Sequence, residues 1–233
     1  MNPWLGNAIN RYFYFAMSLV IAMIVIAGFG HTIGPRLLHS PVPRPLILHI
    51  HVAIFCAWVI FFMLQTALVG WRNVWLHRRL GVFGALLGCA IPLVGTATAI
   101  VIDRAEGHHG DGAAAFLAVS LYDMAAFAIT FGLAVSWRKK TERHRRLMLI
   151  ATCGLMSAAI ARIIAGAVPF EWIYAGVDGL ILLGALRDLL IMRRVHLVYL
   201  VALPLLVFGQ GVAICLALAR PFFWLHVAHQ IIG

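Results

Sequence analysis

The stretch LILHIHVAIFCAWVIFFMLQTALVG, Leu46–Gly70, contains no Asp, Glu, Lys or Arg, and it runs directly into WRNVWLHRRL, Trp71–Leu80. A bilayer core about 30 Å thick requires about 20 apolar residues from a spanning helix. The first segment therefore reads as a membrane span. The second, with its tryptophans and basic side chains, reads as the interfacial loop that ends it. The same order recurs at WRKKTERHRRL, Trp137–Leu147, and more weakly at RRVHL, Arg193–Leu197.

Working outward from these junctions, the chain divides into apolar runs at about 12–30, 46–70, 80–102, 113–137, 147–168, 170–192 and 196–219. The expected fold is all-α: one transmembrane domain covering 1–233, an integral membrane bundle of seven transmembrane helices. Composition agrees. Of 233 residues, 63% are hydrophobic and 11% charged, and mean hydropathy is +0.96. That leaves too little charge to clothe a water-soluble surface. The sixth run is interrupted by Asp178, Arg187 and Asp188, the last two near enough to its end to reach the interface.

Orientation follows the basic residues. Arg72, Arg78 and Arg79 lie in one loop, Arg138 to Arg146 in the next, and Arg193 and Arg194 in a third. All three belong inside. Asp103, Glu106 and Asp111 face only Arg104 in a loop that suits the outside. The expectation is N-terminus inside, C-terminus outside, in a bacterial inner membrane. The first apolar run reads as an ordinary helix rather than a cleaved leader. The tail, Phe222 to Ile232, reads as interfacial, anchored by Trp224. The net charge of +10 is thus a topology signal, and nucleic acid is not an expected partner. Cys56, Cys89, Cys153 and Cys215 sit in apolar runs and read as packing residues. The repeated junctions suggest three helix hairpins about an axis along the membrane normal, preceded by one extra helix; convergence of basic loops is the plainer alternative.

Two polar clusters carry the functional expectations. At the inner junctions lie His77, His144 and His196 with Arg78, Arg79, Arg145, Arg146, Arg193 and Arg194. So much positive charge disfavours a bare cation and suits a group with an anionic edge, such as a haem with its propionates or a phospholipid headgroup. An imidazole from each of two helices is the ligation of a low-spin haem. His77 and His144 are the candidate ligands, Arg78 and Arg145 the candidate propionate partners, and Gly81, Gly84 and Gly88 a candidate slot for the macrocycle. The plainer reading has the histidines capping helices and the glycines packing helices closely.

The second cluster lies toward the outside. Ionisable side chains within spans default to functional candidates. Asp123 stands about 10 residues into the fourth span, hence ~15 Å deep; Arg162, Asp178 and His51 are the others. On helical periodicity His51, Phe55, Trp58, Phe62 and Gln65 share a stripe, with His49 nearly opposite. Ser120, Asp123, Phe127 and Thr130 share a second stripe, and Glu171, Tyr174 and Asp178 a third. Converging, they would enclose an outward-facing cavity with His51, Asp123, Asp178 and Arg162 as catalytic candidates, Arg162 pairing one of the aspartates. A mere helix-to-helix lock is the alternative. His108 and His109 are weak metal candidates in a loop, and His226 and His229 stand one turn apart.

The run from His49 to Gly95, especially LHRRLGVFG at Leu76–Gly84, and RRVHLVY at Arg193–Tyr199 resemble a large, poorly characterised group of bacterial polytopic membrane proteins with an HRRLG junction. That resemblance implies topology and no activity. A more distant one is to the transmembrane b-type cytochromes, which place a histidine on each of four consecutive helices, two per haem. His77 and His144 match the inner pair and His51 one outer ligand, whereas the fourth span holds no histidine. The resemblance implies at most one haem b.

Three functions follow as expectations. The first is a cytochrome-like electron-transfer protein or oxidoreductase. The second is a membrane enzyme acting on a lipid or isoprenoid, with Asp123 or His51 as acid or base. The third is a small-molecule transporter, with Pro92 and Pro204 as sites of helix kinking. A quinone, a lipid or another apolar small molecule is the expected partner besides the bilayer. Motifs of soluble hydrolases, phosphate-binding loops and zinc proteases do not occur.

Overall fold

The computed structural model describes residues 3–34, 44–105 and 110–232. It is all-α, 89% helical. In chain order the α-helices are α1 (Pro3–Ile33), α2 (Leu46–Gly70), α3 (Val74–Ala105), α4 (Asp111–Ser136), α5 (Thr141–Gly154), α6 (Ser157–Ile164), α7 (Ile173–Met192), α8 (Leu197–Ala219) and α9 (Phe222–Ile232), with a 3-10 turn at Phe170–Trp172 before α7.

Among the described residues five helices are long and apolar enough to cross a bilayer: Asn10–Gly30, Leu46–Gly70, Val74–Arg104, Asp111–Ser136 and Leu197–Ala219. A sixth arises if α5 and α6, bent by 42° at a short break, form one span. The seventh expected span corresponds to α7, whose 20 residues include Asp178, Arg187 and Asp188. Exposed side chains such as Ile60, Leu86, Leu93, Ile129, Leu205 and Phe208 cover the outside of the bundle. In water such a surface drives association; against lipid tails it is the stable arrangement.

A helix break falls where no proline stands. Pro92 and Pro204 lie inside α3 and α8, which run on through them. The break falls instead at Leu155 and Met156, where the Met156 amide turns back to the Cys153 carbonyl at 3.0 Å. Arg193 and Arg220 end α7 and α8 in the left-handed region, φ 57 and 47. Glycine is usual there, and any other residue costs about 1–2 kcal/mol.

Packing pairs α1 with α2, α2 with α3, α3 with α4, and α4 with α5 and α8; α7 packs on α5, α6 and α8, and α6 on α1. The core between them is aromatic. Trp58 meets Phe127 and Phe131 edge-on at 5.4 and 5.5 Å, and those two rings stack on each other at 5.4 Å. These edge-on and stacked arrangements satisfy the ring quadrupoles.

The tail is a docked helix. Ala228 and Ile232 of α9 are buried with Ala114 and Leu117 of α4. Trp224 donates its indole N–H to the Ala115 carbonyl at 3.1 Å, which fixes it to α4. Arg104 donates to the carbonyls of Ile231 and Ile232, supplying positive charge at a helix C-terminus.

Candidate functional site

His77 on α3 and His144 on α5 face each other. Their ring centroids lie 6.5 Å apart at an interplanar angle of 74°, although α3 and α5 do not pack side by side. The partly buried imidazoles thus meet at the end of the bundle where both helices begin. His144 Nδ1 lies 2.8 Å from the Ala134 carbonyl. As the donor in that contact it leaves Nε2 with a free lone pair, the orientation found in histidines that ligate metals. His77 Nδ1 is buried without a hydrogen-bond partner. So are both amide atoms of Gln65 and the indole nitrogen of Trp58 on the expected stripe of α2. Trp58, Phe62 and Gln65 are buried there as periodicity required. Orphaned polar groups are rare in native interiors and mark places where a ligand or water completes the bonding.

The third junction histidine does something else. His196 caps α8, its Nδ1 accepting from the Val198 amide at 3.1 Å. Burial, with Arg146 nearby, holds this imidazole below its ordinary value. Among the described residues no group of three His, Cys, Asp or Glu side chains is placed to hold a metal ion.

The arginines divide by role. Arg146 is fully buried and bound by Asp188 through Nε at 2.7 Å and Nη2 at 2.8 Å, and by Glu142 through Nη1 at 2.6 Å. Arg187 adds an Nη1 bond to Asp188 at 2.8 Å and a bond to Asn10. Arg187 and Asp188, 2% and 0% exposed, are buried within the bundle, where Asp188 accepts from both Arg146 and Arg187. Arg145 pairs with Glu142 at 2.6 Å and lies over the Tyr14 ring. Arg79 stacks on Trp75 at 3.9 Å, and Arg78 is exposed at the mouth beside His77.

The glycine slot of α3 is largely filled. A Cβ at Gly84 would collide with the Phe61 ring and one at Gly88 with the Phe131 ring, while Gly81 faces open space. The first two glycines serve close helix packing.

The outer candidates separate into two places. Asp123 on α4 accepts hydrogen bonds from Ser157 Oγ at 2.5 Å and Tyr174 OH at 2.8 Å. Asp178 accepts from Gln210 Nε2 at 3.0 Å, and Tyr122 donates to the Leu206 carbonyl at 2.8 Å. Asp123, Tyr122, Tyr174, Thr130 and Gln210 line a void of about 20 Å³, the room one water requires. His51 and Arg162 lie elsewhere. His51 is half-buried, stacked on Phe55 at 4.1 Å, whereas His49 is exposed. Arg162 lies over the Phe29 ring at 4.4 Å and donates to the Ala158 carbonyl at 2.7 Å. Asp123 and Asp178, the aspartates expected to pair with Arg162, take Ser157, Tyr174 and Gln210 instead, and α6 turns Arg162 toward Phe29 of α1. Glu171 lies in the 3-10 turn, exposed, and does not share the Tyr174 face.

His39, Glu106, His108 and His109 lie outside the described residues, as does the side chain of His31. His226 and His229 do not share a ligand position: the first contacts Gln230 at 3.1 Å and the second Asp111 at 3.2 Å. Ser157, Gln210, Asn10 and Tyr14 escaped the sequence reading, because neutral side chains in apolar runs carry no signal until their partners are known.

No family model, curated protein or solved structure matches the chain.

Proposed function

We propose that this protein is a membrane-embedded electron carrier holding one b-type haem between His77 and His144. The supporting observation is the 6.5 Å separation of those rings. With metal–nitrogen bonds of about 2 Å, two imidazoles on opposite sides of one metal have ring centres about 6 Å apart. The Nδ1 contact of His144 with Ala134 and the open face of Gly81 add support. Arg78 is the available partner for a propionate, and Arg145 a second one shared with Glu142. A bound haem would supply a one-electron couple. His77 and His144 would hold its iron. A quinone or another apolar small molecule in the bilayer suits such a carrier as donor or acceptor.

The same reading takes α7 as a seventh span. Its ionisable side chains point inward to Arg146, Asn10 and Gln210, while Leu182, Leu183, Leu186 and Leu189 face outward. It places the basic junctions and the N-terminus inside a bacterial inner membrane. The repeat is weaker than its sequence, since Arg79 and Arg146, at equivalent positions, differ in burial and partners.

The test is titration of ferric haem into protein produced without it. One equivalent should give a low-spin spectrum, and His77→Ala and His144→Ala should each abolish it. A folded protein that leaves the haem spectrum unchanged refutes the proposal. Small-molecule transport is the second reading, favoured by the 42° break beside Asp123, since interrupted helices often mark transport sites. A void of about 20 Å³ gives a lipid substrate less support.

A further inference from the structure

Asp123 and Asp188 are both carboxylates within the bundle, and the fold treats them oppositely. Asp188 takes two arginines and is fully buried as an ion. Asp123 takes a serine and a tyrosine. Asp111, Glu142 and Asp188 each form an ion pair, whereas the partners of Asp123 are two hydroxyls. An ionised carboxylate without a cation in an apolar interior costs several kcal/mol, which neutralisation removes.

We propose that Asp123 is a proton-binding site, a carboxyl group that takes up and releases a proton within the bundle, with Ser157 and Tyr174 as its hydrogen-bonding partners. This inference stands apart from the haem reading, because it uses α4, α6, α7 and α8 rather than the His77–His144 pair.

The helix break builds the site. The bend between α5 and α6 brings Ser157, the first residue of α6, to 2.5 Å from Asp123 Oδ2. The Tyr174 hydroxyl takes the other oxygen. Hydroxyls suit a group that changes protonation state, because each donates to a carboxylate or accepts from a carboxylic acid. An arginine only donates, and its charge favours the ionised carboxylate. The adjoining void admits one water, which can hand the proton to the carboxylate or receive it back.

The titratable groups lining the void with Asp123 are Tyr122 on its own helix and Tyr174 on α7; α5 contributes apolar Ile150 and Ala151, and α8 contributes Leu206 and Gln210. Asp178 on α7 is a second carboxyl bound by a neutral partner, Gln210, and does not line the void. Asp123 is the better proton site, since both its oxygens are held by hydroxyls, whereas Asp178 faces an amide N–H that suits a carbonyl or carboxylate oxygen.

The experiment uses the full chain in detergent and dicyclohexylcarbodiimide, which adds to protonated carboxyls in apolar surroundings. Peptide mass mapping should place one adduct on Asp123. The adduct should diminish at alkaline pH, vanish in Asp123→Asn, and be unaffected by replacing choline chloride with sodium chloride. Infrared spectroscopy of the same samples should show a protonated-carboxyl stretch that Asp123→Asn removes; this covers the case in which the reagent does not reach the site. Either signal at Asp123 supports the proposal. Absence of both, an adduct on Asp178 alone, or protection by sodium, which would make this a cation site, overturns it.

Discussion

Arg146 and Asp188 form a two-point ion pair in which neither side chain reaches solvent, Nε to Oδ2 at 2.7 Å and Nη2 to Oδ1 at 2.8 Å. The pair joins α5 to α7, and Arg187 with Asn10 extends it to α1. Removing one partner leaves the other with only part of its compensation, Glu142 for Arg146 and Arg187 for Asp188. Asp188→Asn and Arg146→Met should each destabilise the folded protein by about 3–5 kcal/mol. Replacing both residues with apolar ones should cost less than the sum of the two single losses, although it leaves Arg187 without its carboxylate. Thermal denaturation in detergent reads the comparison, and additive losses in the double variant would count against the coupling.

The Gly88–Phe131 contact predicts a steric effect. Gly88→Ala places a methyl group against the Phe131 ring, an overpacking that costs about 1–3 kcal/mol. Gly88→Ala combined with Phe131→Leu should be more stable than Gly88→Ala alone. The same denaturation assay tests it.

His196 predicts a pH dependence. Its cap requires a neutral Nδ1, and burial keeps its proton affinity below the ordinary value of 6.5. In the unfolded chain the imidazole binds protons more readily than in the folded one. Stability at this site is therefore complete above the unfolded value and declines as pH falls below it. His196→Asn keeps an N-cap acceptor without titrating. Denaturation profiles between neutral and mildly acidic pH should slope less in that variant than in the parent.

The docked tail predicts a local effect. Arg104→Ala removes the donor to the last carbonyls of α9. Amide hydrogen exchange should accelerate in α9 and stay unchanged in α5 and α7. Acceleration throughout would show that the tail supports the whole bundle.

Periodicity was enough to place the buried stripe of α2, because a face repeating every third or fourth residue leaves its mark on Trp58, Phe62 and Gln65. It also set His51 inward and His49 outward. It could not find the Arg146–Asp188 pair. Those residues lie 42 positions apart, and a charged residue near the end of a span reads equally well as one reaching for the interface. The α5–α6 break carries no proline, whereas Pro92 and Pro204 sit in helices that run on through them, so neither the bend nor the role of Ser157 was legible. The glycines of α3 were visible as a stripe. Whether Phe61 and Phe131 or a ligand fills it depends on neighbouring helices that the stripe itself does not specify.

The most direct measurement is the dithionite-reduced minus oxidised absorption spectrum of the full chain, purified in mild detergent after expression with haem supplied. The account predicts sharp reduced α and β bands at about one haem per chain, lost in His77→Ala and in His144→Ala and retained in Asp123→Asn. A folded, colourless protein, or a haem spectrum indifferent to both histidines, would contradict it.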